Sequence, residues 1–169
     1  MKWIVFIILL ITFALLDAGN ALNYIALGGT NIRPAMLLIL MLFFAINCER
    51  HTAILVSFAA GFMADAAGLT VGPHIVAFGI IGYVASTLQR DMVMQSYVRQ
   101  CFTILIIGAF ALAGVRGLMM LKPDLQTASN LTALIGTIIY SAIAGPLVWT
   151  VLTWLSPLVG IDRLRSNRI

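Results

Sequence analysis

The chain has 169 residues, 62% of them hydrophobic and only 9% charged, with a net charge of +4 and a mean hydropathy of +1.05. A soluble domain carries about 25% charged residues, so this composition excludes a water-soluble globule and makes lipid the solvent. The positive charges sit at the ends of apolar runs and in the C-terminal tail, with no basic stripe, which excludes nucleic acid as a partner.

A membrane span needs roughly 20 mostly apolar residues. Six such spans and their connections use the whole length, so the expected architecture is all-α: one polytopic transmembrane domain over residues 1–169. Lys2 precedes the apolar run Ile4 to Leu16. The run resembles a signal peptide, with a passable cleavage site at Gly19-Asn20-Ala21. Apolar residues continue to Leu27, and the segment is read as a retained first span over 3–27. Asp17, Asn20 and Tyr24 share one helical face near its outer end, either as interfacial polarity or as part of a site.

Gly28-Gly29-Thr30-Asn31 reads as a turn. Arg33 and Pro34 open the second span, 33–47, which is short and calls for bilayer thinning, tilt of its neighbours or a snorkelling Arg33. The third span, 52–69, carries a small-residue seam of Ala60, Ala64 and Gly68, with Gly61 and Asp65 beside it. Gly72-Pro73 starts the fourth span, 72–88, with a second seam of Gly79, Gly82 and Ser86. Gln89 to Gln100 is a polar connection, a short interfacial helix or a plain loop. The fifth span, 101–121, has its seam at Ala109, Ala113 and Gly117 and contains Arg116. The sixth, 131–155, has Gly145-Pro146 at mid-length, which predicts a kink. Trp149 and Trp154 fall toward its inner end, where aromatic residues favour the interface. A basic tail follows.

Seven of the ten lysines and arginines (Lys2, Arg50, Arg90, Arg99, Arg163, Arg165 and Arg168) fall on one side if the N-terminus is cytoplasmic. Arg33, Arg116 and Lys122 fall on the other. The bias predicts both termini in the cytoplasm. Cys48 and Cys101 then lie at cytoplasmic span ends, where a disulfide is not expected.

Asp17, Arg33, Asp65, His74 and Arg116 all map to the outer half of the membrane. An ionisable residue inside a span is costly, so it marks a functional-site hypothesis. The group reads either as an ion-pair network fixing helix register or as a binding cleft or docking face. Depth counted along the helices puts Asp65 and Arg116 within one turn of each other, which predicts that they pair, with Arg33 and His74 as competitors. Catalysis needs a nucleophile beside a base, or ligands at metal spacing. The sequence shows neither, so no enzyme, metal or cofactor is expected. A carrier of ions needs ionisable groups at several depths, and here they form one layer.

Gly61-Phe62, Asp65, Gly68, Gly72 and Gly82-Tyr83 together resemble the MreD family, small membrane proteins of bacterial rod-shape determination. Arg33-Pro34 before an apolar run resembles the start of that family's second helix. The resemblance implies a non-catalytic scaffold in the bacterial inner membrane, beside the bitopic protein MreC. Through MreC it would connect MreB filaments to the peptidoglycan synthases, RodA and its class B penicillin-binding partner. The family also resembles, at fold level, the substrate-binding subunits of energy-coupling-factor transporters. Ala14 and Ala18 form a pair of the type those subunits use to meet their energising partner. The alternative reading is therefore a small-molecule-binding membrane subunit.

Overall fold

The computed structural model describes residues 2–18, 34–68, 72–88, 97–120 and 131–160. The described residues form six helices: α1 (Trp3–Ala18), α2 (Met36–Asn47), α3 (Arg50–Ala67), α4 (Pro73–Leu88), α5 (Tyr97–Met120) and α6 (Leu131–Val159). Arg33, Asn20, Tyr24, Lys122, the 28–31 turn, residues 89–96 and the basic tail lie outside the described residues.

Several helix bounds differ from the expected spans, and the expected end of the first span at 27 lies outside the described residues. Within the connection expected at 89–100, residues 97–100 already belong to α5. Helix α3 begins at Arg50, with Glu49 at its N-cap. Pro73 is the first helical residue of α4, where its missing N–H costs nothing. Pro34, expected inside a first turn, instead stands ahead of the N-cap Ala35. Helix α6 runs without interruption through both Pro146 and Pro157.

Two helical segments, Tyr97–Met120 and Leu134–Val159, are each long and apolar enough to cross a membrane. Trp3–Ala18, Met36–Asn47 and Pro73–Thr87 are shorter apolar helices. The first turn of α1 and the end of α6 meet through Lys2 N–H donating to the Val159 carbonyl at 2.7 Å. That defines a terminal end of the bundle. The opposite end is the far end.

Helix α2 is the hub. All ten residues from Leu37 to Ile46 are buried, none more than 6% exposed. A helix apolar on every side is buried in a core or in lipid, and here the packing of the other helices puts α2 in the core. Phe43 stacks edge-on against Trp149 of α6 with ring centroids 5.1 Å apart, and Phe44 does the same with Phe6 of α1, also at 5.1 Å. Such pairs add about 0.5–1.5 kcal/mol beyond burial. Trp149, expected at the interface, is thus a core residue, whereas Trp154 is exposed.

The seams differ in what they touch. On α4, Gly79, Gly82 and Ser86 are buried, and a Cβ on Gly79 or Gly82 would run into Phe58 or Ser57 of α3. On α3, Ala60 is fully buried, Ala64 packs at the edge of the core and Gly68 is exposed. On α5 the packed stripe is Ile104, Gly108, Ala111 and Val115. The expected seam points elsewhere: Ala113 and Gly117 are exposed, and among the described residues nothing beyond the local helix backbone lies within 4 Å of where a Gly117 Cβ would sit. Cys48, which is buried, and half-buried Cys101 form no disulfide with each other.

Candidate functional site

The far end gathers the polar groups. The first turn of a helix leaves its N–H groups without intrahelical partners, and at two helix starts a carboxylate from the preceding helix supplies them. Asp65, two residues before the end of α3, serves α4. Its Oδ2 accepts the N–H groups of Gly72 and Ile75, both at 3.0 Å, and its Oδ1 accepts that of His74 at 3.1 Å. Pro73 has no N–H, so every backbone donor from Gly72 to Ile75 is satisfied. His74 Nδ1 adds a fourth contact, to Oδ1 at 2.8 Å. The negative charge also opposes the positive end of the helix dipole.

Asp17, at the end of α1, serves α2 in the same way. Its oxygens accept Met36 N–H at 3.2 Å and Leu37 N–H at 3.1 Å. The N–H of the N-cap Ala35 goes to Ser141 Oγ of α6 at 2.9 Å. Ser141 was not among the expected residues. Its one signal is a hydroxyl inside a long apolar run, and it is buried.

The expected ion pair is overturned. Asp65 pairs with His74, one of its two expected competitors, and no salt bridge links Arg116 to Asp65 or to Asp17. Arg116 Nη1 is enclosed with no hydrogen-bond partner. Equal depth along two helices does not fix which way each side chain faces. Here the orphan backbone donors of α4 offer Asp65 three hydrogen bonds within ten residues of sequence.

The glycines of the same stretch explain why the hairpin closes so tightly. A Cβ on Gly61 would stand 2.6 Å from the His74 carbonyl oxygen and 2.7 Å from Ile75 Cα. Both are backbone atoms that cannot swing away. Gly72 has φ +108°, a conformation other residues rarely adopt. At the terminal end, Arg50 lies over the Tyr83 ring, 4.7 Å from its centroid. Between α1, α2, α3, α4 and α5 the far end has an open cleft of about 220 Å³ bordered by Asp17, Ala64, Gly68 and His74.

Described residues that are helical throughout their regular structure, with two long apolar helices and with a buried and a half-buried carboxylate holding two helix starts, define a helical membrane protein. The model of the rod shape-determining protein MreD family matches residues 1–159, and the chain belongs to that family. Membership brings a role in rod-shape determination and a place in the membrane. Comparison with curated proteins and with solved structures finds no match.

Proposed function

We propose that the chain is a non-catalytic scaffold subunit of the bacterial cell-elongation complex. It sits in the inner membrane as six spans with both termini in the cytoplasm. It holds MreC and through it links MreB to RodA and its class B penicillin-binding partner. The family match over residues 1–159 carries this reading. The meeting of Lys2 with Val159 supports termini on one side.

We place the docked MreC helix on α5, along Ala109, Ala113 and Gly117. Small residues let helix backbones approach closely in lipid, and Ala113 and Gly117 are exposed among the described residues. Photo-crosslinkers placed at Ala113 and Gly117 in living cells should capture MreC. Ala113→Leu should weaken co-purification of MreC while leaving the melting temperature unchanged. Crosslinks to lipid alone, with undiminished co-purification, would remove α5 as the docking face.

The transporter-subunit reading is less well served. Sites for drug-sized ligands occupy about 300–1,000 Å³, and the far-end cleft has about 220 Å³.

A further inference from the structure

Arg116 stands inside the long apolar helix α5, one turn before its last residue Met120. It is half-buried, and its Nη1 is enclosed with no hydrogen-bond partner among the described residues. A guanidinium has only donors to offer, and an enclosed donor without an acceptor is costly. The described carboxylates are engaged elsewhere. Asp65 takes three backbone N–H groups and the His74 ring, and Asp17 takes two N–H groups of α2. Glu49 stands at the N-cap of α3, at the opposite end of the bundle. No salt bridge joins Arg116 to any of them.

What Arg116 lacks is an acceptor, and its surroundings say which kind. Ala113 and Met120, its neighbours one turn away, are exposed and apolar, as are Gly117 beside it and Phe110 deeper on the helix. Helix α5 rises about 36 Å, more than the roughly 30 Å hydrocarbon core of a bilayer, so its last turn reaches the headgroups. Arg116 lies only about 6 Å below Met120 by the same rise. A small soluble anion would leave the apolar surface bare. A phospholipid covers it with acyl chains and brings its phosphate to this depth, and the paired free oxygens of a phosphodiester match the arginine fork. We propose that Arg116 anchors a phosphate-binding site at the far end of α5, occupied by the phosphodiester of an anionic bilayer lipid such as phosphatidylglycerol. Phosphatidylethanolamine is the poorer ligand, because the guanidinium repels its ammonium. Free inorganic phosphate carries the same chemistry without the chains. The inference does not rest on the scaffold reading.

The test is thermal unfolding of the full chain in lipid-depleted detergent, with phosphatidylglycerol, phosphatidylethanolamine or inorganic phosphate added back. Phosphatidylglycerol at about tenfold over its dissociation constant should raise the melting temperature of wild type by about 3–6 °C, and phosphatidylethanolamine should do less. Arg116→Met removes an enclosed, unpaired donor, so it should be at least as stable as wild type without lipid and should lose the response. Arg116→Lys keeps the charge but not the fork and should keep part of it. An equal rise with inorganic phosphate, also lost in Arg116→Met, would uphold the site and make free phosphate its ligand. An undiminished lipid response in Arg116→Met would place the lipid at other basic residues and overturn the proposal. So would non-additive losses of stability in Arg116→Met and Asp124→Asn, which would assign the guanidinium to Asp124, a carboxylate outside the described residues. So would a wild type indifferent to all three additions whose co-purification with MreC is lost in Arg116→Met, which would assign Arg116 to a carboxylate of the partner.

Discussion

The α1–α2 and α3–α4 pairs solve one problem with the same device at different strengths. In each, an aspartate near the end of the first helix reaches the open start of the second, past a proline. In α3–α4 the reach is seven to ten residues, and Asp65 alone takes three backbone donors and the His74 ring. In α1–α2 it is nineteen to twenty residues, Asp17 takes two backbone donors, and the third goes to Ser141 of α6. The tighter pair is self-contained. The looser one depends on a distant helix, and that dependence ties the buried hub α2 to α6. Local closure costs less chain entropy, so the α3–α4 pair is expected to form without help from the rest of the bundle.

The contrast is most easily broken at Gly61. A side chain there meets His74 and Ile75 backbone at 2.6–2.7 Å, and overpacking of this kind costs about 3 kcal/mol or more. Gly61→Leu should therefore yield no folded protein in detergent, while Gly117→Leu, at an open position, should purify normally. Next come the aspartates. Each buried donor left unsatisfied costs about 1–3 kcal/mol, and water at a helix end offsets part of it. Asp65→Ala should lower thermal stability by about 2–4 kcal/mol and Asp17→Ala by about 1–3 kcal/mol. Equal losses would erase the difference between the two pairs. Asp65→Asn combined with Arg116→Gln should be additive within about 0.5 kcal/mol, as for groups that share no partner. Ser141→Ala should cost about 1 kcal/mol and should be felt only through α2.

Much of this was legible in the residues. The apolar run from Ala35 to Ile46 is legible as a helix, though not as the hub of the bundle, and Asp65 stands out as a charge in an apolar stretch. Three of the four glycines that carry the family resemblance are also ones the geometry requires: Gly61 at the backbone contact, Gly72 at positive φ, Gly82 against Ser57. What sequence spacing could not supply was direction. Counting residues from a span's start gives depth but not azimuth, so Arg116 matched Asp65 in depth and still missed it. The α5 seam lies off the internally packed stripe for a related reason, since Gly108 and Ala111 offer a second stripe of small residues on another face, and the chain's own packing uses that one. Nor was a formal positive charge the strongest claim on Asp65: the otherwise unsatisfied N–H groups of Gly72, His74 and Ile75 were.

The smallest expected effect lies at the terminal end of α3–α4. Arg50, the first helical residue of α3, lies over the ring of Tyr83 near the end of α4, 4.7 Å from its centroid. Tyr83 is 49% exposed, so water competes for the guanidinium and the contact is worth about 0.5–1 kcal/mol. Arginine's flat, weakly hydrated group stacks on a ring better than an ammonium does, so Arg50→Lys should lose most of the contact and Arg50→Gln all of it. A chain of this size loses about 2–4 °C of melting temperature per kcal/mol, and each variant should fall by no more than that. The decisive measurement is the double-mutant cycle with Tyr83→Leu. A coupling of about 0.5 kcal/mol or more would mean that the far-end aspartate and the terminal-end cation clamp the same helix pair from both sides. Strict additivity would leave Asp65 and the glycine contacts as all that holds α3 to α4, with Arg50 and Tyr83 merely neighbours at the surface.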